Sequence, residues 1–285
     1  MIAVTGASGR TGAATAEALL KLGEKVRVVV RKAEQGEQWA RRHCEVAIAD
    51  FDDPPSLTKA LKGLTGAYLM LPPPAGDDPL AAQAALLNKL VAAVQGAGLK
   101  RVLFLSAIGA QHPAGTGPTV ALHRAEKALH HAAPSVTFLR AALFLENWAQ
   151  WLLPALETGT IPFFGHTHLQ FPQVGAHDVG VLAAQLLADG AHHGQRVVEL
   201  AGQKNWSAEE IAEVVTSLLG QKVTAVERPV ADARPALEKL GLSPALAALH
   251  AETYDALAHA RLAFAHPHQV KRGATTLFDA LKPLV

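Results

Sequence analysis

At 285 residues the chain is long enough for one large domain, or a main domain with a smaller companion, and it can bury a core without disulfides or structural metal. Apolar residues make up 49% and charged residues 18%, which excludes a disordered chain; a formal net charge of +1 gives no electrostatic case for direct binding to nucleic acid or to an anionic membrane. Cys44 has no second cysteine to pair with, which excludes an internal disulfide and fits a reducing, cytoplasmic location.

The first apolar run starts at Ile2 with no basic segment before it. No run is long enough to span a bilayer, since the stretch 141–156 is interrupted by Glu146, Asn147 and Pro154. Short apolar runs then alternate with helical periodicity. Strands are expected at 2–5, 25–30, 45–49, 67–71, 101–106 and 136–140, and helices at 11–22, 56–61, 79–97 and 120–131. This repetition predicts an α/β fold: a doubly wound parallel sheet of the Rossmann type. The strands are continuously apolar, as in a sheet covered on both faces. The segment LPPPAGDDP, 71–79, reads as a stiff turn after the fourth strand. After about Asn147 the rhythm breaks. Helices are expected at 177–188, 207–219 and 244–263, with Ser207 and Glu210 forming a capping box. The division expected is a dinucleotide-binding domain over 1–150 and a smaller C-terminal α/β substrate lobe over 151–285, some segments of which return to the main sheet.

The segment TGASGRTG joins the first strand to the first helix and spaces Gly6, Gly9 and Gly12 three apart. Gly6 permits a sharp turn, Gly9 offers no side chain to block a pyrophosphate, and Gly12 permits close packing of the helix. The helix N-terminus adds free N–H groups and a positive dipole end. At the end of the second strand, where an NAD site carries an acid for the ribose hydroxyl, stand Arg31 and Lys32. A 2′-phosphate is matched by guanidinium and ammonium groups, so the cofactor expected is NADP(H), with Arg10 within reach of the same phosphate. Solvated strand-end charges are the alternative reading. Asp50 ends the third strand beside Phe51, as an adenine contact or as a turn carboxylate. Trp148, Trp151, Phe163 and Phe164 suit either a flat aromatic substrate or core packing. The pairs His166/His168 and His266/His268 lack a third ligand at a recognised spacing, so no metal site is expected.

TGASGRTG, ADFDDPPSLTKALKG, RVLFLSAIGA, TFLRAALFLEN and HDVGVLAAQLLAD together resemble NmrA-like proteins. These are atypical short-chain dehydrogenase/reductase proteins, among them NADPH-dependent quinone oxidoreductases, azo-dye and triphenylmethane-dye reductases, and redox-sensing regulators. The resemblance implies a six- or seven-stranded sheet with NADPH across the strand C-termini. It puts Gly6, Ser8, Gly9, Arg10, Thr11 and Gly12 on the pyrophosphate loop, Arg31 and Lys32 at the 2′-phosphate, and Asp50 and Phe51 near adenine. Leu71, Pro72 and Pro73 line the ribose; Ser106, Ala107 and Phe144 approach the nicotinamide; Phe144, Asn147 and Trp148 face the substrate cleft. The chain departs from the wider superfamily at the Tyr-x-x-x-Lys pair, where it has His123 and Lys127. Residues four apart share a helix face. Lys127 is therefore expected at the nicotinamide ribose, and His123 either as the acid replacing Tyr or as a polar lining residue. The expected function is hydride transfer to a quinone or similar flat conjugated acceptor, by a monomer or homodimer; the alternative is a non-catalytic NADP(H) sensor that acts on a protein partner.

Overall fold

Glycine and proline punctuation divides the first half of the chain into βα units. In the computed structural model, which describes residues 1–73, 76–190 and 192–285, these are β1 (Ile2–Thr5), α1 (Arg10–Lys21), β2 (Val26–Val30), α2 (Glu37–Ala40), β3 (Glu45–Ile48), α3 (Pro54–Leu61), β4 (Gly66–Leu69), α4 (Pro79–Ala97), β5 (Arg101–Ala107), α5 (Thr119–Leu129) and β6 (Ser135–Ala141). Pro74 and Ala75 of the expected turn lie outside the described residues. Asp53 and Asp78 cap α3 and α4 through their side chains, each followed by a proline in the first turn, which fixes where the helices begin.

The second half contributes β7 (Leu143–Phe144), α6 (Leu152–Thr158), β8 (Thr160–Phe164), β9 (Phe171–Val174), α7 (Ala176–Ala188), β10 (Gly194–Ala201), β11 (Asn205–Trp206), α8 (Ala208–Leu219), β12 (Thr224–Arg228), α9 (Ala233–Lys239), α10 (Pro244–Ala258), β13 (Lys271–Arg272) and α11 (Leu277–Leu281). The capping box of Ser207 and Glu210 opens α8. α10 stops five residues short of the expected end: Ala260 takes a left-handed φ of 52° and the Arg261 N–H turns back to the Ala256 carbonyl.

The main sheet has eight strands in the order β13-β10-β6-β5-β4-β1-β2-β3, all paired in parallel, where six or seven were expected. The additional edge is the two-residue β13, brought in by the C-terminal segment. Leu19 of α1, Trp39 of α2 and Val179 and Leu187 of α7 cover one face; Leu57 and Leu61 of α3, Leu90 of α4 and Leu129 of α5 cover the other. This is the doubly wound arrangement. Two small sheets, β11-β9-β7 and β12-β8, form the remaining lobe with a core around Phe163, Phe164, Ile211 and Leu277. α1 and α7 meet closely at Gly180: a Cβ there would collide with the Ala14 methyl and lie 2.6 Å from both the Ala14 carbonyl carbon and the Thr15 nitrogen.

Candidate active site

β1 ends at Thr5, and Gly6 turns the chain with a φ of +66°, in the left-handed region. The Gly9 N–H donates to the Gly6 carbonyl at 2.9 Å and closes the turn. Gly9 is the N-cap of α1; no side chain caps it and no acid lies in the first turn, so its N–H groups and dipole remain available to an anion. A Cβ on Gly9 would meet only the Gly6 carbonyl oxygen, at 3.4 Å, leaving open space above it. A Cβ on Gly12 would collide with the Gly6 carbonyl and lie 2.9 Å from the Ala7 nitrogen. The third glycine thus permits contact with the turn itself. Ser8, Gly9 and Arg10 are exposed, and Thr11 is buried with its carbonyl accepting the Thr15 hydroxyl at 2.8 Å. This open cradle of N–H groups, free of acids, fits a pyrophosphate.

Arg31 and Lys32 follow β2 as exposed cations, and neither is ion-paired among the described residues. Arg10 lines the cleft described below, where its charge acts on Glu146. Asp50 is built into a turn: its Oδ1 accepts the Asp52 N–H at 2.9 Å and its own N–H donates to Ser56 at 3.3 Å. The α3 cap is Asp53. Phe51 is half-buried against the core that includes buried Leu71. The Pro72 carbonyl accepts a bond from Gln83, and Pro73 is exposed.

Ser106, near the end of β5, is buried and donates to Glu126 of α5 at 2.6 Å. Glu126 accepts two bonds from the Arg140 guanidinium, at 2.9 and 2.7 Å. Glu199 of β10 lies 3.8 Å from Arg140 and accepts the Ala265 and His266 N–H groups, both at 2.8 Å. Burial works against the Arg140 charge, yet its bonds to Glu126 and the nearby Glu199 hold its pKa above the ordinary value. Ser106 is thereby committed to an internal network, while Ala107 ends β5 half-buried. The sequence reading did not single out Glu126, Arg140 or Glu199. The available signal was a charge at the end of VTFLR and another inside VVEL, both otherwise apolar strands.

The Nδ1–H of His123 donates to the Ala110 carbonyl at 2.8 Å, and Nε2 is enclosed without a partner. His123 therefore ties α5 to the loop after β5 and does not line the cleft; Lys127 is exposed and does not line it either.

The cleft, about 650 Å³, lies between the glycine loop and the small lobe. Phe144, Asn147 and Trp148 line it, joined by Arg10, Glu146, Phe163, Phe171, His250 and Tyr254. Trp148 and Phe163 stack at 6.3 Å and Phe163 and Phe171 at 5.8 Å, while the Trp148 N–H donates to Gln173 at 2.7 Å. Trp151 and Phe164 are 5% and 2% exposed and belong mainly to the lobe core. Glu146 follows Phe144 on a short 3₁₀ turn, and its Oε1 accepts the Ala176 N–H at 2.8 Å, capping α7 from a distance. Its Oε2 is buried without a partner. Burial pushes the Glu146 carboxyl above its ordinary pKa and Asp178 adds to this, against the Ala176 bond and the Arg10 charge. Burial also lowers the pKa of His250 and pushes the Tyr254 phenol up to about 12. Glu146, His250 and Tyr254 were missed; isolated polar residues on apolar segments carry no spacing signal. No cluster of three or more metal-ligating side chains occurs among the described residues.

Comparison with known proteins is consistent with this geometry. The chain is 28% identical over 257 residues to quinone oxidoreductase 2 of Escherichia coli K12, covering 89% of this chain and 86% of the relative. A crystal structure of an NADPH-dependent quinone oxidoreductase from E. coli, complexed with NADPH, superposes with a TM-score of 0.83 at 26% identity, covering 100% of this chain and 99% of the other. The Citrobacter triphenylmethane reductase complexed with NADP(H) shares the fold, with a TM-score of 0.84 at 24% identity and 100% coverage of both chains. The model of the NmrA-like family matches residues 1–253. The chain belongs to the NmrA-like family.

Proposed function

We propose that this protein is an NADPH-dependent oxidoreductase that passes a hydride to a quinone or a similar flat conjugated acceptor. The observation that carries this reading is the juxtaposition of an uncapped glycine-loop helix with an aromatic cleft, Arg10 belonging to both. The similarity to a relative named a quinone oxidoreductase, and to one solved with NADPH, supports it. When bound, the reduced nicotinamide supplies the hydride.

The loop of Gly6, Ser8, Gly9, Arg10, Thr11 and Gly12 holds the pyrophosphate, and Arg31 and Lys32 bind the 2′-phosphate. Asp50 and Phe51 flank adenine, Leu71, Pro72 and Pro73 the ribose, and Ser106, Ala107 and Phe144 the nicotinamide. Lys127 steadies the nicotinamide ribose. Phe144, Asn147 and Trp148 receive the acceptor, which takes up one hydride and one proton to become a hydroquinone. Water provides the proton, so no acid is required where the Tyr is missing, and His123 acts as a tether. Buried Cys44 is in keeping with a reducing cytoplasm.

The test is NADPH absorbance. Adding a panel of quinones to enzyme and NADPH is expected to produce a decline proportional to enzyme. Tight NADPH binding with no turnover on any quinone refutes the reductase and favours the sensor.

A further inference from the structure

The helix that carries the Tyr-x-x-x-Lys pair in the wider superfamily reaches the cleft only through Thr119 in its first turn, among the described residues. His123 occupies the Tyr position, its Nδ1–H spent on Ala110 and its Nε2 enclosed. The opposite wall is different. His250 and Tyr254 stand four residues apart on α10, on one helix face, and both line the cleft. Neither side chain has a hydrogen-bond partner among the described residues, and the polar atoms of both stay in contact with open space. The deep aromatic wall offers little else: the Trp148 N–H is spent on Gln173 at 2.7 Å, and the Gln173 amide on the Trp206 carbonyl at 3.3 Å.

The two groups are also held in place. Phe163 and Phe164 meet the Tyr254 ring edge-on at 5.9 and 5.0 Å. α10 is pressed against the loop before α5, where the Gly117 N–H donates to Glu252 at 3.0 Å and a Cβ on Gly117 would lie 2.8 Å from the Thr253 hydroxyl. Only glycine, here at a φ of +61°, permits that approach. Arg261 fastens the end of the same helix by donating to the Gly115 carbonyl at 2.9 Å.

The geometry points to Tyr254 and His250 as the groups that hydrogen-bond the carbonyl oxygens of the acceptor, fixing its flat ring system against the aromatic wall. This rests on the reductase reading and names the chemistry its substrate must carry: an uncharged aromatic system bearing oxygen acceptors. The Tyr254 phenol keeps its proton across the physiological range, because burial pushes its pKa up to about 12, and burial favours the uncharged imidazole of His250. The α10 wall therefore offers neutral hydrogen-bonding groups, and the cation of the cleft, Arg10, belongs to the glycine loop. A hydroxyl whose partner must come from the ligand discriminates against the same rings without oxygen.

The experiment measures binding without NADPH, through quenching of tryptophan fluorescence from the cleft wall. The probes are menadione and methylnaphthalene, which has the same two rings and no oxygens. Tyr254→Phe keeps the ring contacts with Phe163 and Phe164 and removes only the hydroxyl. It is expected to weaken menadione binding about three- to tenfold, with NADPH and methylnaphthalene affinities unchanged. His250→Leu is expected to weaken menadione similarly. Unchanged menadione affinity in both variants, alongside a wild-type protein that reduces menadione, overturns this assignment and leaves the reductase reading intact. A wild-type protein that binds NADPH yet neither binds nor reduces any quinone overturns both.

Discussion

At Gly9 and Gly12 the same added side chain has opposite consequences. Space above Gly9 is open, so Gly9→Val is expected to fold with a melting temperature close to wild type while losing NADPH affinity, because the added methyls fill the place of the pyrophosphate. Gly12 faces the Gly6–Ala7 backbone, so Gly12→Val is expected to lose stability by about 1–3 kcal/mol or more through overpacking. Thermal melting beside NADPH titration separates the two, and normal NADPH binding by Gly9→Val would reduce the loop to a plain turn. Arg31 is exposed and forms no ion pair among the described residues. A hydrogen bond to a charged group contributes about 1.5–3 kcal/mol, so Arg31→Asp is expected to lower NADPH affinity about 10- to 100-fold and spare NADH, as read by titration with each cofactor. Glu146 supplies a pH signature. Its folded pKa is raised, so the native state holds the proton more tightly than the unfolded chain; that stability is full at acidic pH and is lost as pH rises through the raised value. Glu146→Gln keeps a carbonyl for the Ala176 N–H and removes the buried charge. Its melting temperature relative to wild type is expected to improve on going from acidic to neutral pH; a pH-independent difference would contradict this.

β5, α5, β6 and β10 are cross-linked inside the molecule by Ser106, Glu126, Arg140 and Glu199. Removing one member of such a network leaves uncompensated buried charge, so Arg140→Met is expected to cost about 3–5 kcal/mol in urea unfolding, with most of the loss coming from stranded Glu126 and Glu199. A cost below about 1 kcal/mol would mean that water reaches the carboxylates. These elements show what a sequence makes readable. β1 to β6 are short, mainly apolar runs, and α3 and α4 carry local start signals in the Asp53 and Asp78 caps, so the type and order of these elements follow from periodicity; the four-residue α2 is too short to show one. β7 and β11 have two residues each and β9 contains Pro172, so neither length nor alternation marks them. α10 ends where Ala260 turns left-handed, a choice made by the contact of Arg261 with the Gly115 loop and not by local propensity. The glycines that suggest a cofactor are readable from sequence because they lie on one continuous loop. Of the cleft lining, the sequence points to Phe144, Asn147 and Trp148 but not to Gln173, His250 and Tyr254, which come from distant segments that meet them only after the chain has closed.

On the scale of the whole molecule, the chain leaves the main sheet after β6, builds much of the small lobe, and returns through α7 and β10; the C-terminal segment then returns as β13. Its return is secured by carboxylates that accept main-chain N–H groups: Glu199 holds Ala265 and His266, and Asp178 at the start of α7 holds Ala274 and Thr275. The first of the returning helices, α7, settles on α1 at Ala14 and Gly180. The neighbours of Gly180 there include main-chain atoms as well as a methyl group, and main-chain atoms cannot be exchanged. Position 180 is therefore closed to inheritance of any other residue, whatever happens opposite it. Gly180→Ala is expected to lower the melting temperature, and the double variant Ala14→Gly/Gly180→Ala to melt no higher, since trimming the methyl leaves the Ala14 and Thr15 backbone in place and adds about 0.5–1 kcal/mol of helix cost. Thermal melts of the two single variants and the double form the cycle that checks this. Ordinary knob-and-hole contacts allow a lineage to drift by exchanging bulk from one side to the other; this seam permits no such trade.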